Sequence, residues 1–207
     1  MRRLVVASVV LLSTAACTTD PPPAPAPSAA APAMTVDEAH RLLPMDGAGD
    51  LTITWDPSPD TDEVQAARRS LALNYWMDAV TDWTSIIPVG RMLSADRHYR
   101  EVLAPFAEST DAGKPASGPM WVKTMGAQKI RPYQVQVTFC TDLGHLREDG
   151  KPYRDIKKRA NLETYLMQYV TTADGNRGWR TASVATTDFS RAKTYGPECT
   201  RWARHQP

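Results

Sequence analysis

Tyr133-Gln134-Val135-Gln136-Val137-Thr138-Phe139 places an apolar residue at every second position. Successive side chains of a strand point to opposite faces, so Tyr133, Val135, Val137 and Phe139 are expected to line one face of a sheet. Downstream, Leu162-Glu163-Thr164-Tyr165-Leu166-Met167-Gln168-Tyr169-Val170-Thr171 is apolar and aromatic on both parities. That suits a strand covered on both sides for part of its length. A short helix is the alternative, and the Thr, Tyr and Val content argues against it. Asp174-Gly175-Asn176 then leads into Gly178-Trp179-Arg180-Thr181-Ala182-Ser183-Val184, the pattern of a hairpin with a longer turn. The whole stretch 128–199 reads as strands broken by turn chemistry, with Cys140 and Cys199 toward its ends.

Upstream, Met120-Trp121-Val122-Lys123-Thr124 reads as a strand leading into this stretch, and residues 108–119 as a loop rich in breakers. The longest helical pattern covers residues 63–83. Ala66, Leu73, Trp76, Met77, Val80 and Trp83 fall on one face and are expected to pack on the core. Leu71, Tyr75, Asp78 and Asp82 lie nearly opposite, where charged residues are expected to stay solvated. Ser94 is positioned to cap a second helix through Ala104, with Ala95, Tyr99, Val102, Leu103 and Phe106 as its apolar face and His98 at its edge. Met34 to Leu43 reads as a short helix capped by Thr35, with Glu38 at its third position, and Leu51-Thr52-Ile53-Thr54-Trp55 as a short strand. In the loop Asp56-Pro57-Ser58-Pro59-Asp60-Thr61-Asp62, Thr61 and Ala67 stand where a calcium loop needs Gly and Glu, so Thr61 or Asp62 is read as a helix cap. Residues 142–155 are polar and contain His145 and an Asp149-Gly150 turn signal; residues 201–207 read as a basic tail.

At the start of the chain, Met1-Arg2-Arg3 precedes an apolar run and then Thr14-Ala15-Ala16-Cys17, the pattern of a secretory signal peptide too short to span a membrane. Leu12-Ser13-Thr14-Ala15-Ala16-Cys17 resembles the lipobox of bacterial lipoproteins, although Thr14 stands where Leu is usual. The resemblance implies a diacylglycerol on Cys17, cleavage before it, and an extracytoplasmic domain anchored to the cell membrane. Residues 18–33, rich in Pro, Ala, Ser and Thr, read as an extended spacer reaching roughly 50 Å at most. The expected organisation is a signal peptide (1–16), a lipidated cysteine with linker and short helix (17–45), and a single α+β domain (46–207). With Cys17 acylated, Cys140 and Cys199 remain, and an oxidising compartment favours their pairing.

The chain has 24 basic and 23 acidic residues, and loss of Arg2 and Arg3 takes its net charge from +1 to −1. No basic stripe marks a nucleic-acid surface. No CxxC or HxxxH spacing marks a metal site, and no cofactor is expected. GxSxG, HExxH, P-loop and dinucleotide-binding patterns are absent.

The element order, helices followed by antiparallel strands, resembles the nuclear transport factor 2-like superfamily, the cone-shaped α+β fold of ketosteroid-isomerase-like proteins. Asp174-Gly175 and Gly178-Trp179-Arg180 match a turn-Gly-Trp-Arg pattern in that family's last strands. The stalked, two-cysteine form resembles small lipoproteins of high-GC Gram-positive bacteria. The resemblance implies N-terminal helices on a curved antiparallel sheet, enclosing a pocket. Two functions follow as expectations. One is a non-catalytic domain at the outer face of the membrane that binds a small apolar ligand or an envelope protein. The other is a pocket enzyme of the isomerase or dehydratase type using Tyr75 and Asp78, with His98 as a further candidate. Two convergent acid–base groups in a pocket would favour the second.

Overall fold

The computed structural model describes residues 34–108, 114–171, 175–185 and 189–204. The expected signal peptide, Cys17 and the spacer lie outside the described residues, as does Asp174 of the last turn.

Chain order is α1 (Val36–Leu42), β1 (Leu51–Trp55), α2 (Asp62–Ala79), α3 (Ile86–Leu93), α4 (Asp96–His98), β2 (Ala116–Arg131), β3 (Gln134–Asp142), β4 (Arg147–Glu148), β5 (Lys151–Pro152), β6 (Ala160–Thr171), β7 (Arg177–Ala185) and α5 (Phe189–Ala203). The sheet runs β5-β4-β2-β3-β6-β7, with neighbours antiparallel. β1 pairs with β2 in parallel, a departure from the antiparallel sheet expected. Register shifts at Thr124/Gly126 and Lys129/Arg131 of β2, and at Leu166/Met167 of β6, curl the sheet, since each bulge adds local twist. The result is the cone-like α+β arrangement: helices on a curved, mainly antiparallel sheet.

Both faces of β3 are covered, which explains its burial pattern. Val135, Val137 and Phe139 face Leu71 and Tyr75 of α2 in the main core. On the other face, Thr138 accepts from Arg191 of α5 at 3.0 Å, and Cys140 is disulfide-bonded to Cys199 of the same helix, Cα to Cα 5.4 Å. Tyr133, expected on the inner face, lies just before the strand's start and is 68% exposed.

α1 forms as expected, with the Glu38 amide donating to Thr35 Oγ1 at 3.2 Å. Its Ala39 is buried in a second core with α3, and the compact unit runs from Ala33 to Pro207, so α1 belongs to the domain rather than the linker. Both cores and the disulfide lie inside that unit, so it has a hydrophobic core of its own, as an independently folding domain requires.

Three expectations about the helices are corrected. First, α2 ends at Ala79, and its sheet-facing residues are Val64, Ala67, Leu71, Tyr75 and Ala79. Ala72, Leu73 and Met77 face the second core. A helix covered on two sides spreads its apolar residues round the axis: of the expected stripe, Leu73, Trp76, Met77, Val80 and Trp83 pack in or against the second core, so the stripe is a buried face but not the one that meets the sheet. Second, Ser94 ends α3 instead of starting a helix, because the Ala95 amide bonds to Thr181 O of β7 at 2.9 Å and holds this segment on the sheet. α4 continues into a π turn (Tyr99–Leu103) and a 3-10 turn (Ala104–Glu108). Third, the expected C-terminal tail begins inside α5, whose Trp202 donates to Asp56 Oδ2 at 2.8 Å. β2 also starts at Ala116, within the loop expected up to Pro119. The Asp149-Gly150 turn is present between β4 and β5, both residues at positive φ (53° and 71°).

Candidate functional site

α2, the 3-10 turn after α4, and the start of β6 line a cavity of about 560 Å³. Its apolar wall includes Met77, Trp83, Leu103 and Phe106, and its polar floor Tyr75, Asn161 and Glu163. Trp83 is fixed by its indole N–H donating to Met77 O at 2.8 Å and by edge contact with Phe106, centroids 4.8 Å apart.

The floor is organised around Glu163, a carboxylate in the middle of an apolar strand. Its side chain is buried and accepts from Tyr75 Oη at 2.6 Å, Thr141 Oγ1 at 2.9 Å, Asn161 Nδ2 at 3.2 Å and Tyr165 Oη at 3.2 Å. Asn74 Nδ2 donates onward to Tyr165 Oη at 3.1 Å. Burying a charge is costly unless it is hydrogen-bonded, and these four donors meet that requirement. Burial, and then the Glu163 charge, push the Tyr75 and Tyr165 hydroxyls well above the ordinary tyrosine range. Both phenols therefore stay protonated and are poor proton donors to a substrate.

Asp78 lies one helical turn from Tyr75, in the wall of the same cavity. It offers surface to water, while the protein around it removes much of its carboxyl hydration. Burial first, then the charges of Glu163 and Glu148, push it up to about 6. This corrects the expectation that the charged residues on the Tyr75 and Asp78 face of α2 simply stay solvated. Asp82 does not join them: it lies beyond the helix, exposed, and accepts from the Thr84 amide at 2.9 Å. His98 is buried, which lowers its pKa, and it is not in the cavity wall. Glu163 was not singled out from the sequence; a lone carboxylate within LETYLMQYVT was the available signal. Among the described residues no group of His, Cys, Asp and Glu could hold a metal ion, and no helix is long and apolar enough to cross a membrane.

A second cleft, of about 660 Å³, lies between residues 154–160 and α5 and is lined by Arg154, Lys157, Lys158, Arg159 and Arg204. Arg154 also lines the first cavity.

No protein-family model matches the chain, and no curated protein does. Among solved structures, the chain is similar to the Agrobacterium tumefaciens VirB8 protein at 15% identity. The alignment covers 63% of this chain and 96% of that one, with a TM-score of 0.34. At that distance the similarity carries no argument about function.

Proposed function

We propose that the domain is a non-catalytic binding module, held at the outer face of the cytoplasmic membrane by a lipid on Cys17, that takes a small, mostly apolar molecule into the cavity beneath Trp83 and Phe106. One observation carries this reading: the cavity's polar floor is satisfied from within. Glu163, Tyr75, Tyr165, Asn74, Asn161 and Thr141 are hydrogen-bonded to one another. A catalytic pair needs a group with a proton to give or a lone pair to offer at working pH. Here burial and the Glu163 charge make the phenols weaker acids than an ordinary tyrosine. The walls remain apolar, which is the lining a binding site uses. The disulfide is consistent with an oxidising compartment.

The test is native mass spectrometry of a fragment spanning residues 34–207 for retained ligand, with thermal shift against apolar ligands. Val184→Trp, which fills the cavity, should abolish both signals while leaving the fold intact. Membrane anchoring is tested separately: Cys17→Ser should release the protein into the medium.

One observation favours the enzymatic alternative. Asp78, pushed up to about 6, lines the same cavity as Tyr75 and is suited to accept a proton near neutral pH. Turnover of a screened substrate, lost in Asp78→Asn, would establish that reading and overturn ours.

A further inference from the structure

The second cleft belongs to a loop of unusual composition. Lys151-Pro152-Tyr153-Arg154-Asp155-Ile156-Lys157-Lys158-Arg159 carries five cations and one carboxylate. That carboxylate is exposed but engaged locally: Asp155 Oδ1 accepts from the Lys157 amide at 2.9 Å and caps the 3-10 turn Ile156–Lys158. Arg159 is bound to the buried Asp142, with Nε to Oδ1 at 2.7 Å and Nη2 to Oδ2 at 2.5 Å, so it fixes the loop to the end of β3. Arg154, Lys157, Lys158 and Arg204 make no ion pair among the described residues, and no carboxylate lines the cleft they share. Two large apolar side chains of the same loop are exposed, Tyr153 at 48% and Ile156 at 49%, and Ile156 lines the cleft itself.

Like charges gathered round a concavity whose lining holds no carboxylate repel one another, and a bound anion relieves that repulsion. A soluble anion would draw on the cations alone and leave Tyr153 and Ile156 in water. An anionic bilayer surface answers both features: its phosphates meet the cations, and its interfacial zone accepts an aromatic and a branched aliphatic side chain. We propose that the 151–159 loop and Arg204 form a docking surface for anionic lipid bilayers. The inference does not depend on the cavity holding a ligand. The two sites share Arg154, so docking would bring the mouth of the cavity toward the lipid.

The experiment uses the 34–207 fragment, which lacks the lipid site, in co-sedimentation with phosphatidylglycerol-rich and with pure phosphatidylcholine vesicles. Binding to the first and not the second is expected, weakening as salt rises. Lys157→Ala/Lys158→Ala should weaken it about 25-fold, from roughly fivefold per cation removed at the surface. Ile156→Ser should weaken it less and leave the salt dependence unchanged. The fold of each variant is checked by its unchanged melting temperature. Equal binding to both vesicles, or unchanged binding by the double variant, would overturn the proposal. So would the absence of vesicle binding together with protection of the lysines by inorganic phosphate or by an acidic protein, since each would mean another occupant.

Discussion

The two cavities meet at Arg154 but treat charge in opposite ways. In the first, the Glu163 carboxylate is surrounded by donors supplied by α2, β3 and β6, and the charge is consumed by the fold. In the second, four cations stand in the wall without an ion pair among the described residues, and only Arg159 is tied to a carboxylate. A charge answered from within contributes to stability. A charge left facing a concavity contributes little to the fold and is available to something outside it.

That contrast can be broken or sharpened by substitution. The largest effect should come from Cys199→Ser, which releases α5 and with it Thr200 and Arg204 of the cleft wall. With the cysteines separated by 59 positions in sequence, stability should fall by roughly 4 kcal/mol in urea melts, and vesicle binding should weaken with it. Glu163→Ala leaves Tyr75, Thr141, Asn161 and Tyr165 without their acceptor and should cost about 3 kcal/mol, moderated by water entering from the adjoining cavity. Tyr75→Phe removes one charge-assisted hydrogen bond and should cost about 1.5 kcal/mol by the same measurement. Lys157→Ala/Lys158→Ala should change stability by less than about 0.5 kcal/mol, and a large loss would show those cations to be structural after all.

The pH test has a defined sign. Asp78 holds its proton more tightly in the folded chain than in the unfolded one, since about 6 lies above the ordinary value of 3.8. Between those values the folded state binds more protons, so stability from this group is present below about pH 4 and is lost as pH rises through about 6. Denaturant melts across that range should show the decline in the native chain and a flatter profile in Asp78→Asn.

The strands were readable because alternation and turn chemistry are local. Val135, Val137 and Phe139 needed no knowledge of their partners, and the disulfide followed from a count of thiols. The site was not readable for a matching reason. Tyr75 and Glu163 are 88 residues apart, and each looks ordinary in its own segment. The face of α2 was misread because two cores flank it, and the helical periodicity of a helix covered on two sides does not say which side meets the sheet. α5 was missed because Gly196-Pro197 lies inside it, a pair that argues for a turn when its packing partners are unknown.

The bond between Cys140 and Cys199 also sets a timetable. β3 sits in the middle of the sheet, yet one of its faces is covered by α5, which is made after every strand. At about 5–20 residues per second, a growing chain waits roughly 3–12 s between the two cysteines. During that interval Cys140 is an unpaired thiol, and the other cysteine already made is Cys17. The Cys140–Cys199 pair can close only after α5 has been made, so that face of β3 stays uncovered until the last helix is in place.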